Sequence, residues 1–263
     1  MTSDHSETGT AMTEGENENE PIAALVAIDF TATELRLLLA TPEQELIASE
    51  RYELPQLADE EAWAWEVGGR VSTLFSRDAE PLYALAIGIA CPGAVHPVRG
   101  VMTESRAQEG WDGLHVVDAI RRHIDAPAVA LDRAQAALRG EMTFGAALDV
   151  TDALYLSVRE SPPMAAILAA GTIVRGAHHR PGIIDPDDPA ASIAAIAAVL
   201  DTARLILDAP DDEAEAFAAR VAASLKASGA SADVAVSELG DRAPMFGALE
   251  AASIVAYEGE RDE

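Results

Sequence analysis

Residues 128–141 constrain the fold more than any other stretch of this chain. Ala128 to Leu131 is a short apolar run typical of a strand, and it leads directly into a helix of small residues that ends at Gly140-Glu141. A buried strand followed at once by a helix is the repeating unit of α/β folds. The stretch therefore predicts an α/β chain in which a strand end lies beside a helix start.

The order of the remaining elements predicts the same class. Continuous apolar runs at 22–28 and 83–90 are typical of buried strands, and 34–39 is predicted to be the return strand of a hairpin. Alanine-rich segments at 190–208 and 212–228 predict helices. Further strands are predicted at 45–52, 153–158, 164–168 and 233–236, and further helices at 58–77, 113–124 and 243–257.

The charge of the chain limits its partners. Residues 1–20 are polar and acidic without periodicity, which predicts a disordered tail. The net charge is -27, and Lys226 is the only lysine, so the surface repels phosphate backbones and nucleic acid is not expected as a partner. Both asparagines, Asn17 and Asn19, lie in the tail, which leaves none for the predicted folded part.

Cysteine usage and hydropathy limit the site chemistry and the location. Cys91 is the only cysteine, which excludes an intramolecular disulfide and a cysteine-cluster zinc site. Its position after an apolar strand, beside Pro92, predicts a buried structural thiol rather than a nucleophile. No run of about 18 apolar residues is present, and the start lacks the pattern of a secretory signal. We therefore expect no membrane partner and a cytoplasmic location.

Four stretches, in order, resemble the ROK family of repressors, open reading frames and sugar kinases. Residues 131–141 resemble its Asn-Asp-Ala-Asn-Ala-Ala-Ala-Leu-Gly-Glu turn, and 87–95 resemble its Gly-Ile-x-x-Pro-Gly-Pro-Val segment. Residues 145–157 resemble its run into the second lobe, and 239–248 its closing Leu-Gly-Asp-x-Ala-Gly-Leu-x-Gly-Ala. The resemblance implies the two-lobed actin-like ATPase (ribonuclease H-like) fold of sugar kinases. It divides the chain into the acidic tail (1–20), an N-terminal lobe (21–130) and a C-terminal lobe (131–263).

The resemblance also locates the turns that hold phosphates in the family, and these have lost their glycines. Glycine turns expose backbone amides to phosphate oxygens. The first hairpin, Asp-x-Gly-Gly-Thr in the family, keeps only Asp29 and Thr33. These two residues are weak candidates for phosphate binding. The alternative is that they belong to an ordinary hairpin turn with local side-chain hydrogen bonds. The second turn becomes 159–165, which contains two prolines that cannot donate backbone hydrogen bonds there. The late adenosine loop becomes 207–210, without glycine and with an added carboxylate.

The catalytic base is the sharpest departure from the family. Without gaps, Asp132 takes the place of the asparagine and Arg133 the place of the catalytic aspartate. A guanidinium stays protonated in proteins, so Arg133 cannot accept a proton from a sugar hydroxyl. Asp132 remains a weak candidate base, because a slip of one residue within the turn would bring it to the catalytic position.

The sugar and metal positions of the family are also altered. Its sugar-binding asparagine aligns near Ala107, and its sugar-binding glutamate becomes Ile183. The cysteine-rich zinc segment is missing, because no cysteine follows Cys91. His178 and His179 are adjacent, so on a strand their side chains would point apart, and a surface loop is favoured over a metal site. No metal site and no cofactor are therefore expected.

These observations favour a ROK-like protein that has lost kinase chemistry and keeps a binding or regulatory role. One alternative is a divergent ATP-dependent sugar kinase in which Asp29, Asp132 and Glu141 act as metal and base groups with ATP and magnesium. Another is a ROK-type transcriptional regulator that lacks its DNA-binding module, since the acidic tail is too short for one. The family often dimerises, so a homodimer is one expected partner, and a small molecule or protein is another. We further predict that Arg133 pairs with Asp29.

Overall fold

Two five-stranded sheets with the same strand order organise the chain. The computed structural model describes residues 21–77, 81–159, 161–180 and 182–261, and the predicted tail at 1–20 lies outside the described residues. The strands are β1 Ile22–Phe30, β2 Glu34–Ala40, β3 Leu46–Glu53, β4 Leu82–Cys91, β5 Gly93–His96, β6 Val101–Ser105, β7 Ala128–Asp132, β8 Ala153–Ser157, β9 Met164–Ala169, β10 Thr172–Ile173, β11 Arg204–Asp208 and β12 Asp233–Val236. The helices are α1 Glu60–Phe75, α2 Val116–Arg121, α3 Arg133–Phe144, α4 Pro189–Leu200, α5 Ala214–Ser228 and α6 Ala243–Arg261, with a 3₁₀ turn at Gly240–Arg242.

Each sheet has three antiparallel strands followed by two parallel ones. The first sheet has the order β3-β2-β1-β4-β7, and the second has the order β10-β9-β8-β11-β12. In the second sheet β8 pairs antiparallel with β9 and parallel with β11, as β1 does with β2 and β4. The chain therefore repeats one α/β unit, which is the two-lobed arrangement that the sequence predicts.

In helix α1, the spacing of the apolar residues determines which side chains face the first sheet. The Asp59 side chain caps it by accepting a hydrogen bond from the amide of Ala62 at 2.9 Å. Trp63 and Val67 are fully buried on the face toward the sheet, whereas Trp65 lies off that stripe and is 74% exposed. The helical stripe, rather than the total apolar content, therefore sets which residues enter the core.

Two central helices connect the lobes at very close range. α3 packs against α6, and α6 also lies on the first sheet, where Ala248 contacts β4 beside Gly88. A Cβ atom added to Gly247 would lie 1.6 Å from the carbonyl oxygen of Ala136, and one added to Gly140 would lie 2.5 Å from that of Ala243. Glycines are thus required for the two backbones to approach.

Some predicted boundaries differ from the structure. The predicted helix over 190–208 is wrong in its second part, because α4 ends at Leu200 and 204–208 forms β11. Asp201 adopts a left-handed conformation that ends α4, and the apolar residues that follow enter the centre of the second sheet. The predicted lobe boundary between residues 130 and 131 falls inside β7, a strand of the first sheet.

Within the described residues, no helix combines the length and the apolar character that crossing a membrane needs.

Candidate functional site

The candidate site lies where the parallel strands of both sheets end. In the first sheet, Asp29 near the end of β1 pairs in register with β4, and β4 pairs with Asp132 at the end of β7. In the second sheet, Ser157 and Asp208 are the paired last residues of β8 and β11. Parallel strands present their carboxyl ends at one edge of a sheet, where α/β proteins usually bind ligands. The site is therefore built from strand ends and from the helix and turns that follow them.

Arg133, the first residue of α3, forms a two-pronged contact with Asp29. Its Nε donates to Oδ1 of Asp29 at 2.6 Å, and its other guanidinium nitrogen donates to Oδ2 at 3.2 Å. The two residues are 4% and 1% exposed. The predicted Asp29–Arg133 pair is confirmed. Both oxygens of Asp29 are engaged, so the carboxylate that the family keeps in its first hairpin already holds an internal cation.

Asp132, the weak candidate base, caps α3. Its Oδ1 accepts a hydrogen bond from the amide of Ala134 at 2.8 Å, and its Oδ2 contacts a guanidinium nitrogen of Arg106 at 3.1 Å. Burial raises the pKa of this carboxyl, although Arg106 and two backbone amides oppose the rise. Asp132 ends β7 and Arg133 begins α3.

The first phosphate turn of the family is closed here by a threonine. The Oγ1 of Thr31 accepts hydrogen bonds from the amides of Thr33 at 3.3 Å and Glu34 at 3.1 Å. The amide of Thr31 donates to the carbonyl of Glu34 at 2.8 Å. These contacts are the local hydrogen bonds of an ordinary hairpin turn. The amides of Thr31, Thr33 and Glu34 therefore already have partners within the turn.

The second turn and the late loop contribute a second arginine–aspartate pair, in which Asp208 is buried and Arg159 is partly exposed, and which the sequence did not predict. Arg159 donates through Nε to Asp208, and its other nitrogen reaches Asp211 at 3.2 Å. Asp208 is 3% exposed and also accepts hydrogen bonds from Ser157 at 2.9 Å and Tyr155 at 3.1 Å. Burial lowers the pKa of Arg159, but its bonds to Asp208 and Asp211 outweigh that effect and raise it. The sequence does contain a signal for this pair. The two turns have both lost their glycines, and one contains an arginine while the other contains an aspartate.

Two neighbouring cavities occupy the cleft, and Met164 lines both. The larger, of about 290 Å³, lies between the first and second turns and is lined by Thr33, Arg106 and Pro162 among others. The smaller, of about 230 Å³, contains three guanidinium groups and two carboxylates in its walls. The wall residues that carry charge are Arg36, Arg133, Arg159, Asp208 and Asp241.

Each of these three arginines contacts a carboxylate. Arg36 lies 3.2 Å from Asp241 and also pairs with Glu34, while the other two hold Asp29 and Asp208. A phosphate entering the smaller cavity would meet guanidinium groups whose charge is already neutralised. The cavity therefore carries no excess positive charge from these arginines.

Glu141 and His179 both contact other protein groups. Glu141 is fully buried and accepts hydrogen bonds from the amides of Ala146 at 2.7 Å and Leu239 at 3.1 Å, and from the hydroxyl of Ser237. The ring of His179 lies 4.8 Å from that of His96. Among the described residues, no group of three or more histidine, cysteine or acidic side chains is placed to hold a metal ion. The arrangement makes Glu141 a structural residue.

Cys91 is completely buried at the end of β4. Burial, reinforced by the nearby charges of Asp132 and Asp29, raises the pKa of its thiol well above the ordinary value. A thiol that is both enclosed and protonated is a poor nucleophile. The prediction of a buried structural thiol is confirmed.

A family model and solved structures identify this arrangement. The model described as "ROK family" matches residues 25–179, more than half of the chain. The chain belongs to the ROK family. A comparison with curated protein sequences found no match.

Solved ROK proteins share the fold of the chain at low sequence identity. A ROK family glucokinase from Streptomyces griseus, solved with glucose and AMPPNP, matches with a TM-score of 0.71 and 15% identity over 87% of this chain and 99% of that one. The ROK hexokinase from Thermus thermophilus gives 0.70 and 15% over 91% and 100%. A ROK family transcriptional regulator, homolog of the E. coli MLC protein, gives 0.76 and 13% over 90% and 79%. The fold is therefore the actin-like ATPase fold of the sugar-kinase type, which kinases and a regulator share.

Proposed function

We propose that this ROK protein is catalytically inactive as a sugar kinase and acts as a binding or regulatory protein. The observation that carries the proposal is the Asp29–Arg133 pair. A permanently cationic side chain stands where the resemblance places the proton acceptor, and its partner is the carboxylate left from the phosphate hairpin. One contact thus occupies two groups that phosphoryl transfer would need.

Metal and phosphate binding would both have to displace existing contacts. Magnesium at Asp29 would compete with a buried guanidinium, and removing one partner of a buried pair costs about 3–5 kcal/mol. Phosphate at the first turn would compete with the Oγ1 of Thr31 for the amides of Thr33 and Glu34. No resident cofactor is expected in this proposal, and ATP with magnesium belongs only to the alternative.

Sugar hydroxyls would also find few partners at the positions that the family uses. Ala107 lines the larger cavity and offers only its backbone and a methyl group. Ile183 is 66% exposed and pairs through its backbone with Met164. Sites that discriminate sugars rely on side chains that hydrogen-bond hydroxyls. These two positions support loss of the sugar-kinase function rather than a change of sugar.

The proposal is tested by measuring nucleotide binding and phosphoryl transfer on the full chain. We expect no binding heat from millimolar ATP with magnesium in titration calorimetry. We also expect no phosphorylation of glucose or mannose above a protein-free control in a coupled assay. Sugar phosphorylation that disappears in Asp132→Ala would overturn the proposal.

A divergent sugar kinase is the second candidate, and one observation favours it. Burial raises the pKa of Asp132, and a raised carboxyl pKa suits a general base. Its partner Arg106 also lines the larger cleft cavity. Under this reading Asp132 would take the sugar proton after Arg106 moved toward the transferred phosphoryl group. Phosphorylation lost in Asp132→Asn but retained in Glu61→Gln, an exposed carboxylate on α1, would establish this reading instead.

A further inference from the structure

A third cavity lies on the opposite side of α3 from the Asp29–Arg133 pair. Arg133 and Ala137 face the cleft, whereas Gln135 and Arg139 face this cavity, as expected for residues two positions apart on a helix. The cavity measures about 180 Å³. We call it the α3–α6 cavity; its walls come from β7, α3, α6, the residues around β5 and the loop after β10.

Within the described residues, several polar side chains of the α3–α6 cavity lack hydrogen-bond or ion-pair partners, unlike the charged side chains of the cleft. Arg139 and Arg175 both line it, and within the described part of the chain neither forms an ion pair or a side-chain hydrogen bond. The Nε of Arg139 and the Nδ1 of His179 are buried there without a hydrogen-bond partner among the described residues. The side chain of Gln135, which is 9% exposed, also forms no hydrogen bond within those residues. Buried polar atoms are rarely left unsatisfied, so a cluster of them indicates a missing partner.

The nearby charges indicate that the missing partner is an anion. Burial lowers the pKa of Arg139, Glu250 opposes that effect, and the charge of Arg175 lowers the pKa further. Two guanidinium groups are thus close enough to repel each other. Glu250 accepts a hydrogen bond from Gln44 at 2.9 Å, and Glu258, which also lines the cavity, is exposed at its rim. Two guanidinium groups that line one cavity without ion-pair partners among the described residues favour a negatively charged ligand locally, against the overall charge of -27.

We propose that the α3–α6 cavity binds a small organic anion, a carboxylate or a phosphate ester. Guanidinium groups bind both head groups through paired hydrogen bonds, and Arg139 and Arg175 would hold the head. Leu131, Ile254 and Val255 provide an apolar wall for the body of the ligand. The buried amide of Gln135 and the ring of His179 would supply further hydrogen bonds. The apolar wall distinguishes this site from one for a free inorganic ion.

The cavity would let an anion connect the two lobes. Its β7 and α6 walls belong to the first sheet and its packing helix, whereas Arg175 and His179 follow β10 of the second sheet. The His96–His179 ring contact and the hydrogen bond from Arg180 to Glu104 at 2.9 Å already cross the same junction. A bound anion would add contacts between the lobes. This inference stands apart from the proposed function, because a kinase with this fold would accommodate the same cavity.

The test measures anion binding to the full chain at constant ionic strength, using thermal shift and titration calorimetry. The probes are phenyl phosphate, benzoate and inorganic phosphate, with sodium chloride as the ionic-strength control. We expect a saturable rise in melting temperature for phenyl phosphate or benzoate, because a ligand of the native state stabilises it in proportion to its occupancy. A response to one aromatic probe and not the other identifies the head group. A rise with sodium chloride alone, equal to that with the probes, would overturn the proposal.

Matched variants separate binding at this cavity from other effects. Arg175→Gln, at an exposed position, and Arg139→Leu should each weaken the affinity for the probe at least tenfold. Arg121→Gln on α2 should leave this affinity unchanged. Arg139→Leu without ligand should melt no lower than the wild type, because it removes a buried charge that has no partner in the described chain. The absence of saturable binding at about 10 mM probe would overturn the proposal. Equal affinities in Arg175→Gln and Arg121→Gln would overturn it as well.

Discussion

The guanidinium of Arg133 holds both carboxylate oxygens of Asp29, through contacts of 2.6 and 3.2 Å between groups that are almost completely buried. The contact joins the start of α3 to the end of β1. A second arginine–aspartate pair, between the partly exposed Arg159 and the buried Asp208, lies at the equivalent edge of the second sheet. The cleft between the lobes is thus lined by arginine and aspartate side chains that neutralise one another.

Breaking the first pair should be costly. Asp29→Asn leaves the buried guanidinium of Arg133 without this counter-charge, and we expect the free energy of unfolding to fall by about 3–5 kcal/mol. Urea denaturation measures the change. Glu66→Gln provides the control, because the Glu66–Arg70 pair at 2.8 Å is a partly exposed i,i+4 pair and should change stability by less than about 1 kcal/mol. Equal losses in the two variants would contradict the importance of the buried pair.

Much of the fold was predictable because strands and helices leave local patterns. The apolar runs at 22–28 and 83–90 lie within β1 and β4, and the stretch 128–141 forms β7 and α3. The helix predicted over 190–208 failed because alanine and leucine fill helices and buried strands equally well, and only the break at Asp201 separates α4 from β11.

The candidate site was predictable only where the family resemblance placed two separate motifs at the same cleft. Arg133 follows directly from the order of residues in the turn, and the resemblance brought Asp29 to it. Arg159 and Asp208 lie in two turns separated by 49 positions, and neither turn shows by itself that its charge has a partner. No local sequence pattern predicts the arginine cluster of the α3–α6 cavity, because Arg139 and Arg175 meet only after both lobes have folded.

The close approach of α3 and α6 should make Gly247 intolerant of any side chain. In Gly247→Ala the new methyl group would lie 1.6 Å from a backbone oxygen of α3, so the helices must separate, and we expect a loss of about 3 kcal/mol or more. Gly69→Ala is the matched control, since nothing lies within 4 Å of that site in α1. It should stabilise the protein by about 0.5–1 kcal/mol through helix propensity. Thermal or urea unfolding compares the two, and a neutral Gly247→Ala would refute the close packing.

The carboxyl of Glu34 should make the free energy of unfolding depend on pH. Its carboxylate accepts hydrogen bonds from Arg51 at 2.6 and 3.0 Å and from Arg36; burial alone would raise its pKa, but these bonds outweigh burial and lower it. A carboxyl whose pKa is lowered in the folded state stabilises the protein fully above its ordinary pKa of 4.5, and this contribution is lost as the pH falls through the lowered value.

Glu34→Gln should therefore reduce the free energy of unfolding by about 1 kcal/mol at neutral pH, and the difference from the wild type should shrink below pH 4.5. Unfolding curves at several pH values measure this difference. Glu61→Gln, an exposed change on α1, should follow the wild type throughout. A difference that grows as the pH falls would show that the sign is wrong.

Cys91 offers a probe of global unfolding, because it is the only thiol and is fully buried. Burial also raises its pKa, so the native protein should react very slowly with a disulfide reagent at pH 8, whereas one thiol per chain should react at once in denaturant. If reaction requires unfolding, its rate follows the unfolded fraction. Asp29→Asn should then accelerate labelling about tenfold for every 1.4 kcal/mol of lost stability. Rapid labelling of the native wild type would place the thiol at the surface and contradict the packing at the end of β4.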